Sequence, residues 1–235
     1  MAKALHQLSP TAKSPDRSPL VVEFLGPAGS GKTTLIRTLS NRYPQVKASV
    51  TPRLIDYVPF FARDSSLLFP FLHNGYRNSR LFRWYEARCM LRLIAWHSRL
   101  RAESPGDGDV LFLDHGPIFK LVRLREFGPT FVRSGVYQEW WNRVFQQWTT
   151  MLDWVVWLDA PNSVLLERVQ ARGTQHRIRQ QTTNEAFQFL SLYRSCYEAI
   201  IAKWAVDGGP RVLRCNTAHE SPHHSVDKIW RTLNA

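Results

Sequence analysis

The sequence has few cysteines, a deficit of acidic residues and no long apolar run. Its three cysteines are too few and too widely spaced for a disulfide framework or a zinc site. No apolar stretch approaches the roughly 20 residues that a membrane-spanning helix needs, and the first residues lack the apolar core of a signal peptide. We therefore expect a cytoplasmic protein without a membrane span.

Positive charge is in excess, with 31 Lys and Arg against 19 Asp and Glu, which gives a net charge of +12. This balance favours anionic partners such as nucleotides, phosphorylated small molecules or nucleic acid. The basic segment 1–19 contains three Ser-Pro pairs and few large apolar residues, so we expect a disordered tail. Residues 20–235 are expected to form a single domain, since the length suits one core.

Short apolar runs alternate with longer helical patterns, which predicts an α/β sandwich with a mainly parallel sheet. The predicted strands lie at 20–25, near 46–50, and at 110–113, 154–158 and 211–215. The predicted helices lie at 32–41, 77–101, 135–150, 163–171, 184–204 and 225–233. The second of these contains seven arginines, five of which, including Arg88, are expected to lie beside its apolar face. That basic face either is solvated or holds an anionic ligand.

The stretch GPAGSGKT, residues 26–33, fits the phosphate-binding pattern G-x-x-x-x-G-K-[ST] between a strand and a helix. Its glycines allow successive backbone N–H groups to point at phosphate oxygens. Lys32 is expected to bridge the β- and γ-phosphates of ATP, and Thr33 to offer its hydroxyl to Mg²⁺. The residues predicted to bind the nucleotide here are Gly26, Ala28, Gly29, Ser30, Gly31, Lys32, Thr33 and Thr34.

The run VLFLDHGP supplies an acidic partner for this loop. Asp114 follows four apolar residues, where the strand leaves the sheet. Ligands of doubly wound sheets gather at the carboxyl ends of the strands, so Asp114 should face Lys32 and Thr33. We predict that Asp114 coordinates Mg²⁺ directly or through water, with acceptance of a substrate proton as a further role left open. Asp159, at the end of VVWLDAP, is interpreted as a structural turn residue.

The order VVWLDAP, SVLLERVQARGTQHR and FLSLYRSCYEAI resembles the thymidylate kinase and deoxynucleoside kinase branch of the nucleoside monophosphate kinase family. In that family, a strand ending in LD-x-[PS] leads to a helix with an L-x-R-x-x-x-R pattern, which enters a mobile lid. Here the pattern is Leu166, Arg168 and Arg172. The resemblance covers about residues 20–217 and is strongest in the loop and in 154–200.

The resemblance implies a P-loop kinase with a five-stranded parallel sheet, the third strand beside the first, a helical acceptor region and an arginine-rich lid at about 168–183. It implies that Arg168, Arg172 and Arg177 (or Arg179) neutralise charge on the donor phosphates. It also places Asn216 where the family contacts adenine. A dimer is a further possibility that the family suggests.

Three departures leave the acceptor open. Thymidylate kinases usually have an Asp in the loop where this chain has Ala28, and they have Asp-Arg after the third strand, where Asp114 is followed here by His115. Deoxynucleoside kinases place a Glu after the second strand, whereas this chain has Arg53 and Asp56. Arg53 is a candidate to hold an acceptor anion and Asp56 a candidate base. His115 either contacts the acceptor or γ-phosphate or only fills the loop.

The leading hypothesis is a small-molecule kinase that uses ATP and Mg²⁺, with an anionic or hydroxyl-bearing acceptor. Its basis is the arginine-rich lid, since such a segment excludes water and stabilises a migrating phosphoryl group. The alternative is a nucleotide-binding regulatory or nucleic-acid-interacting protein. That alternative has no helix-turn-helix, zinc-finger or stacking-platform motif to support it.

Overall fold

A computed structural model describes residues 19–49, 84–102, 109–128, 135–172 and 177–235. Largely apolar runs form the three central strands of a parallel sheet that is covered on both faces, and the two edge strands contain more polar residues. The five strands are β1 (Leu20–Leu25), β2 (Val46–Ser49), β3 (Val110–Asp114), β4 (Trp154–Asp159) and β5 (Arg211–Asn216). All neighbours pair in parallel, in the order β2-β3-β1-β4-β5. The predicted fold class and the adjacency of β1 and β3 are confirmed.

Helices cover both faces of this sheet. They are α1 (Lys32–Arg42), α2 (Trp84–Ala102), α3 (Pro117–Phe127), α4 (Gly135–Met151), α5 (Asn162–Ala171), α6 (Thr183–Asp207) and α7 (Pro222–Leu233), with a short 3₁₀ helix at Arg177–Gln180. The predicted helices are found within a few residues of their expected bounds, apart from the first residues of 77–101, which lie outside the description, as does most of the predicted tail 1–19. The sequence prediction missed α3, which follows the DHGP turn.

Alternation along β1 sorts its side chains between two cores. Val22 and Phe24 pack with α1 and α7 on one face, while Val21 and Leu25 join a larger, tryptophan-rich core with α2, α3, α4 and α6 on the other. Because side chains alternate along a strand, Glu23 lies on the second face. It is fully buried there.

Local signals set the helix ends near the carboxyl edge of the sheet. Gly31, at the N-cap of α1, is left-handed with φ 91°. The helix α6 begins with a capping box in which Thr182 and Glu185 satisfy each other's backbone N–H groups. On the opposite side, α1 packs against α7, where the rings of Tyr43 and Trp230 stack with centroids 3.9 Å apart.

None of the helices that the structure describes combines the length and the apolarity that a membrane crossing requires.

Candidate functional site

The loop between β1 and α1 is tightly enclosed by neighbouring backbone. Gly26 has φ 149° and Gly29 has φ 85°, backbone conformations that residues with a side chain rarely adopt. A Cβ at Gly26 would lie 2.2 Å from the carbonyl oxygen of Leu158, and one at Gly29 would lie 2.5 Å from that of Leu165. Both glycines are therefore required by space as well as by backbone conformation.

Lys32 folds its amine back into this loop. Its Nζ donates to the carbonyl oxygens of Gly26 (2.8 Å) and Pro27 (2.9 Å), and to the Ser30 hydroxyl at 3.3 Å. Burial lowers the pKa of Lys32 to about 8, although the nearby Asp114 carboxylate opposes the shift. The loop thus holds a desolvated amine among oxygen atoms.

Asp114 lies beside the loop, as predicted, because β3 pairs directly with β1. Its Oδ2 accepts a 2.7 Å hydrogen bond from the Thr33 hydroxyl, and its Oδ1 lies 3.1 Å from Nδ1 of His115. Burial raises the pKa of Asp114, but the His115 side chain, the Thr33 hydroxyl and the Lys32 charge outweigh this and hold the pKa at about 2. Asp114 is therefore ionised at any physiological pH.

The Thr33–Asp114 pair fits a magnesium ion. Hydroxyl and carboxylate oxygens are the ligands that Mg²⁺ prefers, and the ion usually takes only one or two protein ligands beside water and substrate phosphates. The described part of the chain contains no group of three or more His, Cys, Asp or Glu side chains arranged for a metal. The chemistry of this donor set therefore suits a nucleotide-associated Mg²⁺ rather than an ion held by protein ligands alone.

A cavity of about 340 Å³ opens beside the loop. Its size is in the range of small-molecule sites. Its walls are the loop with the first turn of α1, the end of α5, and the segment from the end of β5 into α7. The lining residues are Gly29, Ser30, Gly31, Thr34, Leu35, Arg168, Ala171, Arg172, Thr217, Glu220, Pro222 and Ser225.

Arg168 connects two walls of this cavity. Its guanidinium donates to the hydroxyl (3.0 Å) and the carbonyl oxygen (2.6 Å) of Thr217, with a longer 3.5 Å contact to the carbonyl oxygen of Gly29. Asn216, the residue predicted to contact adenine, accepts the N–H of Ala218 and is not among the lining residues, whereas the adjacent Thr217 is. A contact between Asn216 and adenine stays a prediction.

The remaining predicted nucleotide-side residues have different surroundings. Arg172 follows α5, lines the cavity, and its charge contributes to the lowered pKa of Lys32. Ala28 packs against the apolar cluster of α5 and α6. Arg177 begins the 3₁₀ helix, but its side chain, like that of Arg179, lies outside the description. A role for Arg177 in the lid stays a prediction.

On the acceptor side, the structure describes two of the four predicted residues. Arg88 is half-buried on α2, and His115 is exposed at the end of β3, with its ring against Phe119 at 4.8 Å. Arg53 and Asp56 lie outside the described residues. Asp159 accepts two hydrogen bonds from Arg194, at 2.7 and 3.0 Å, which agrees with its interpretation as a structural residue.

Sequence reasoning overlooked two charged residues next to the site. Glu23 accepts backbone N–H groups of Ile118 and Phe119, and Lys120 donates its amine to the carbonyl oxygen of His115. A signal for Glu23 was available, because a carboxylate inside the apolar run LVVEFL is costly unless it has partners. Lys120 had no such signal, since it lies in a helix that the sequence prediction missed.

Comparison with known proteins places the chain in a family. The sequence profile of the family described as "AAA domain" matches residues 22–188, more than half of the chain. The chain belongs to this AAA-domain family. No curated protein matches the sequence significantly.

The fold of this AAA-domain protein is shared with nucleoside and nucleotide kinases. Deoxyadenosine kinase from M. mycoides, solved with the products dCMP and a flexible dCDP bound, superposes with a TM-score of 0.54 at 14% identity, over 92% of this chain and 99% of the kinase. Thymidylate kinase from Candida albicans gives a TM-score of 0.56 at 15% identity, over 92% of each chain. At the level of fold, the resemblance inferred from sequence is confirmed.

Proposed function

We propose that this AAA-domain protein is an ATP-dependent phosphotransferase, a nucleoside- or nucleotide-kinase-like enzyme that moves the γ-phosphoryl group of Mg·ATP to a small acceptor. The observation that carries the proposal is the 2.7 Å hydrogen bond between Thr33 and Asp114. It joins the P-loop to the end of β3 through the two oxygen groups suited to hold Mg²⁺. The kinase-like fold over 92% of the chain supports the same assignment.

The residues of the loop are arranged to bind the triphosphate. The backbone N–H groups of the glycine-rich turn and the N-terminus of α1 attract phosphate oxygens. Lys32 would exchange its bonds with Gly26 and Pro27 for bonds with the phosphates, where a negative partner favours its charged form. Thr33 and Asp114 would hold the magnesium ion, which supplies charge neutralisation across the β- and γ-phosphates.

The cavity beside the loop suits the nucleoside part of the donor. Of the lining residues, Arg168 is hydrogen-bonded to Thr217, and Glu220 accepts hydrogen bonds from Ser225 (3.1 Å) and Lys228 (3.0 Å). Walls that are fixed before binding lower the entropic cost of holding a ligand. Arg172 would add positive charge near the transferred phosphoryl group, and we carry Arg177 in the same role.

The acceptor would bind on the other side of Asp114, between α2 and the turn that contains His115. Arg88 and Arg53 are the candidates to hold an acceptor anion, and Asp56 or Asp114 the candidates to take a proton from an acceptor hydroxyl. The two fold relatives act on a deoxynucleoside and on thymidylate. We therefore propose a hydroxyl-bearing or phosphorylated small molecule, with nucleosides and nucleoside monophosphates to be tested first.

The test has two steps. A thermal-shift screen with Mg·ATP held constant identifies acceptors, because a ligand that binds only the native state raises the melting temperature. Phosphoryl transfer to each hit is then measured for the wild type, Lys32→Ala and Asp114→Ala, with Lys203→Ala as a surface-lysine control. We expect each site variant to lose activity by about 100-fold or more while the control retains it. Normal turnover in either site variant would refute the assignment.

A further inference from the structure

Glu23 places a carboxyl group in the centre of the sheet. It lies in β1, three residues before the loop begins, with an exposed fraction of 0%. A carboxylate in such a place costs free energy unless its oxygens are hydrogen-bonded. Its partners therefore indicate what the residue does.

Both carboxylate oxygens are used at one helix end. Oε2 accepts the N–H of Ile118 and Oε1 accepts the N–H of Phe119, each at 3.0 Å. These are the first two N–H groups of α3, because Pro117 has none. The N-cap position is Gly116, which has no side chain with which to cap the helix. The cap of α3 thus comes from β1 rather than from the adjacent sequence.

This contact is sterically matched. A Cβ at Gly116 would lie 2.6 Å from Cδ of Glu23, so the carboxyl group occupies the space that a side chain there would need. From the other side, the Lys120 amine donates to the carbonyl oxygen of His115, whose φ is 50°. The two-residue turn between Asp114 and α3 is therefore held at both ends.

The strand that supplies the cap is also the strand that leads into the P-loop. Phe24, the next residue after Glu23, pairs in register with Asp114. A displacement of the first turn of α3 would move the turn at 115–116 and, through it, the Asp114 carboxylate relative to Thr33. The charged and titratable groups that influence Glu23 or are influenced by it are Lys120 of α3, Asp114 of β3 and Tyr197 of α6.

We propose that Glu23 is a positioning residue that holds Asp114 in line with Thr33 by anchoring the first turn of α3 to β1. The inference rests on the proposed function, in which Asp114 and Thr33 hold the nucleotide's magnesium ion. Its consequence is specific: Glu23 supports the magnesium-dependent part of nucleotide binding and not the part that the loop provides by itself.

The test measures the affinity of the full-length chain for ATP carrying an N-methylanthraniloyl group, with Mg²⁺ and with EDTA. Residues that orient metal ligands typically change metal affinity by about 10- to 100-fold. We expect Glu23→Gln to reduce the gain in affinity that Mg²⁺ provides by about tenfold and to leave the affinity in EDTA unchanged. Asp114→Asn should remove the gain altogether, and Glu198→Gln, which discharges a surface glutamate paired with Arg214, should preserve it.

A second pair of variants makes the result independent of folding losses. Gly116→Ala introduces a methyl group against the Glu23 carboxyl and should reproduce the loss in the otherwise native chain. In a Glu23→Ala background the same substitution should have no further effect, because coupled residues give non-additive changes. Two results would overturn the inference. One is that the losses caused by Gly116→Ala and Glu23→Ala add together in the double variant. The other is that Glu23→Gln keeps the full gain in nucleotide affinity from Mg²⁺ while Asp114→Asn abolishes that gain.

The outcome also separates this inference from the proposed function. If the wild type transfers no phosphoryl group but its gain in nucleotide affinity from Mg²⁺ depends on Asp114 and Glu23, the kinase assignment is refuted and the positioning role is supported. If the wild type transfers phosphoryl groups and Glu23→Gln keeps the full gain from Mg²⁺, the kinase assignment is supported and the positioning role is refuted.

Discussion

Replacing Glu23 by Gln should change how the stability of the fold depends on pH. Burial raises the pKa of this carboxyl from 4.5 to about 7, and the hydrogen bonds from Phe119 and Ile118 offset the effect only in part. Each pKa step of one corresponds to about 1.4 kcal/mol, so the ionised Glu23 costs the folded state about 3 kcal/mol relative to the protonated form. Gln at this position cannot ionise, so the variant does not carry this free-energy cost.

The sign follows from the proton count. Between pH 4.5 and 7 the folded state binds more protons at Glu23 than the unfolded state does, so this residue's contribution to stability falls as pH rises and is constant above about pH 8. Gln accepts only one of the two N–H groups, which lowers stability by a similar amount at every pH. The stability of Glu23→Gln relative to the wild type should therefore increase by about 3 kcal/mol from pH 4.5 to pH 8.5.

Urea unfolding followed by tryptophan fluorescence measures this difference, since the chain has nine tryptophans and the midpoint reports stability when the slope is unchanged. The titration of Lys32, whose pKa is lowered to about 8, is common to both proteins and cancels in the comparison. Glu198→Gln serves as a control, because the hydrogen bond from Arg214 lowers the pKa of Glu198 and the contribution of this residue therefore changes mainly below pH 4.5. Between pH 5 and pH 8.5 its stability curve should run nearly parallel to that of the wild type. Parallel pH curves for the wild type and Glu23→Gln would refute the reasoning.

Three further predictions concern the nucleotide side. Acetic anhydride should acetylate the Lys32 amine with a pH midpoint near 8, because burial lowers the pKa of this amine. Mg·ATP should block the reaction, and mass spectrometry of the tryptic peptides measures both effects. Labelling that Mg·ATP does not change would contradict the placement of Lys32 at the phosphates. Gly29→Ala should abolish ATP binding in calorimetry, because its Cβ would meet the carbonyl oxygen of Leu165 at 2.5 Å. Arg168→Ala should lower the free energy of unfolding by about 1 to 3 kcal/mol, because it removes the charged hydrogen bonds to Thr217, and it should also weaken ATP binding. Urea unfolding measures the loss of stability. An unchanged urea midpoint would contradict the predicted loss.

The parts of the site that local sequence encodes were predictable. The loop has a fixed spacing of glycines, Lys32 and Thr33, and Asp114 follows an apolar strand, so parallel-sheet geometry was enough to bring them together. The bounds of the strands were also predictable, because they follow from short apolar runs that local sequence encodes. The adjacency of β1 and β3, implied by the family resemblance, agrees with the pairing in the sheet.

The features that depend on distant partners were not predictable. The helix α3 was missed because its cap comes from Glu23, which is 95 positions before Ile118 in the chain, and no capping side chain precedes it locally. Arg168 contacts Thr217, 49 positions later, so its place in the cavity wall depends on how β5 is aligned. Periodicity and motif spacing carry no information on such contacts.

The strand order also determines when the site can form during synthesis on the ribosome. The strand β1 lies between β3 and β4, and the helix that follows the loop packs against α7 near the carboxyl terminus. The loop is made early in translation, yet the backbone that encloses Gly26 and Gly29 comes from residues 158 and 165. Nascent chains shorter than this carry the sequence of the loop without the walls that shape it, so we expect the loop to reach its enclosed conformation only after most of the domain has been synthesised.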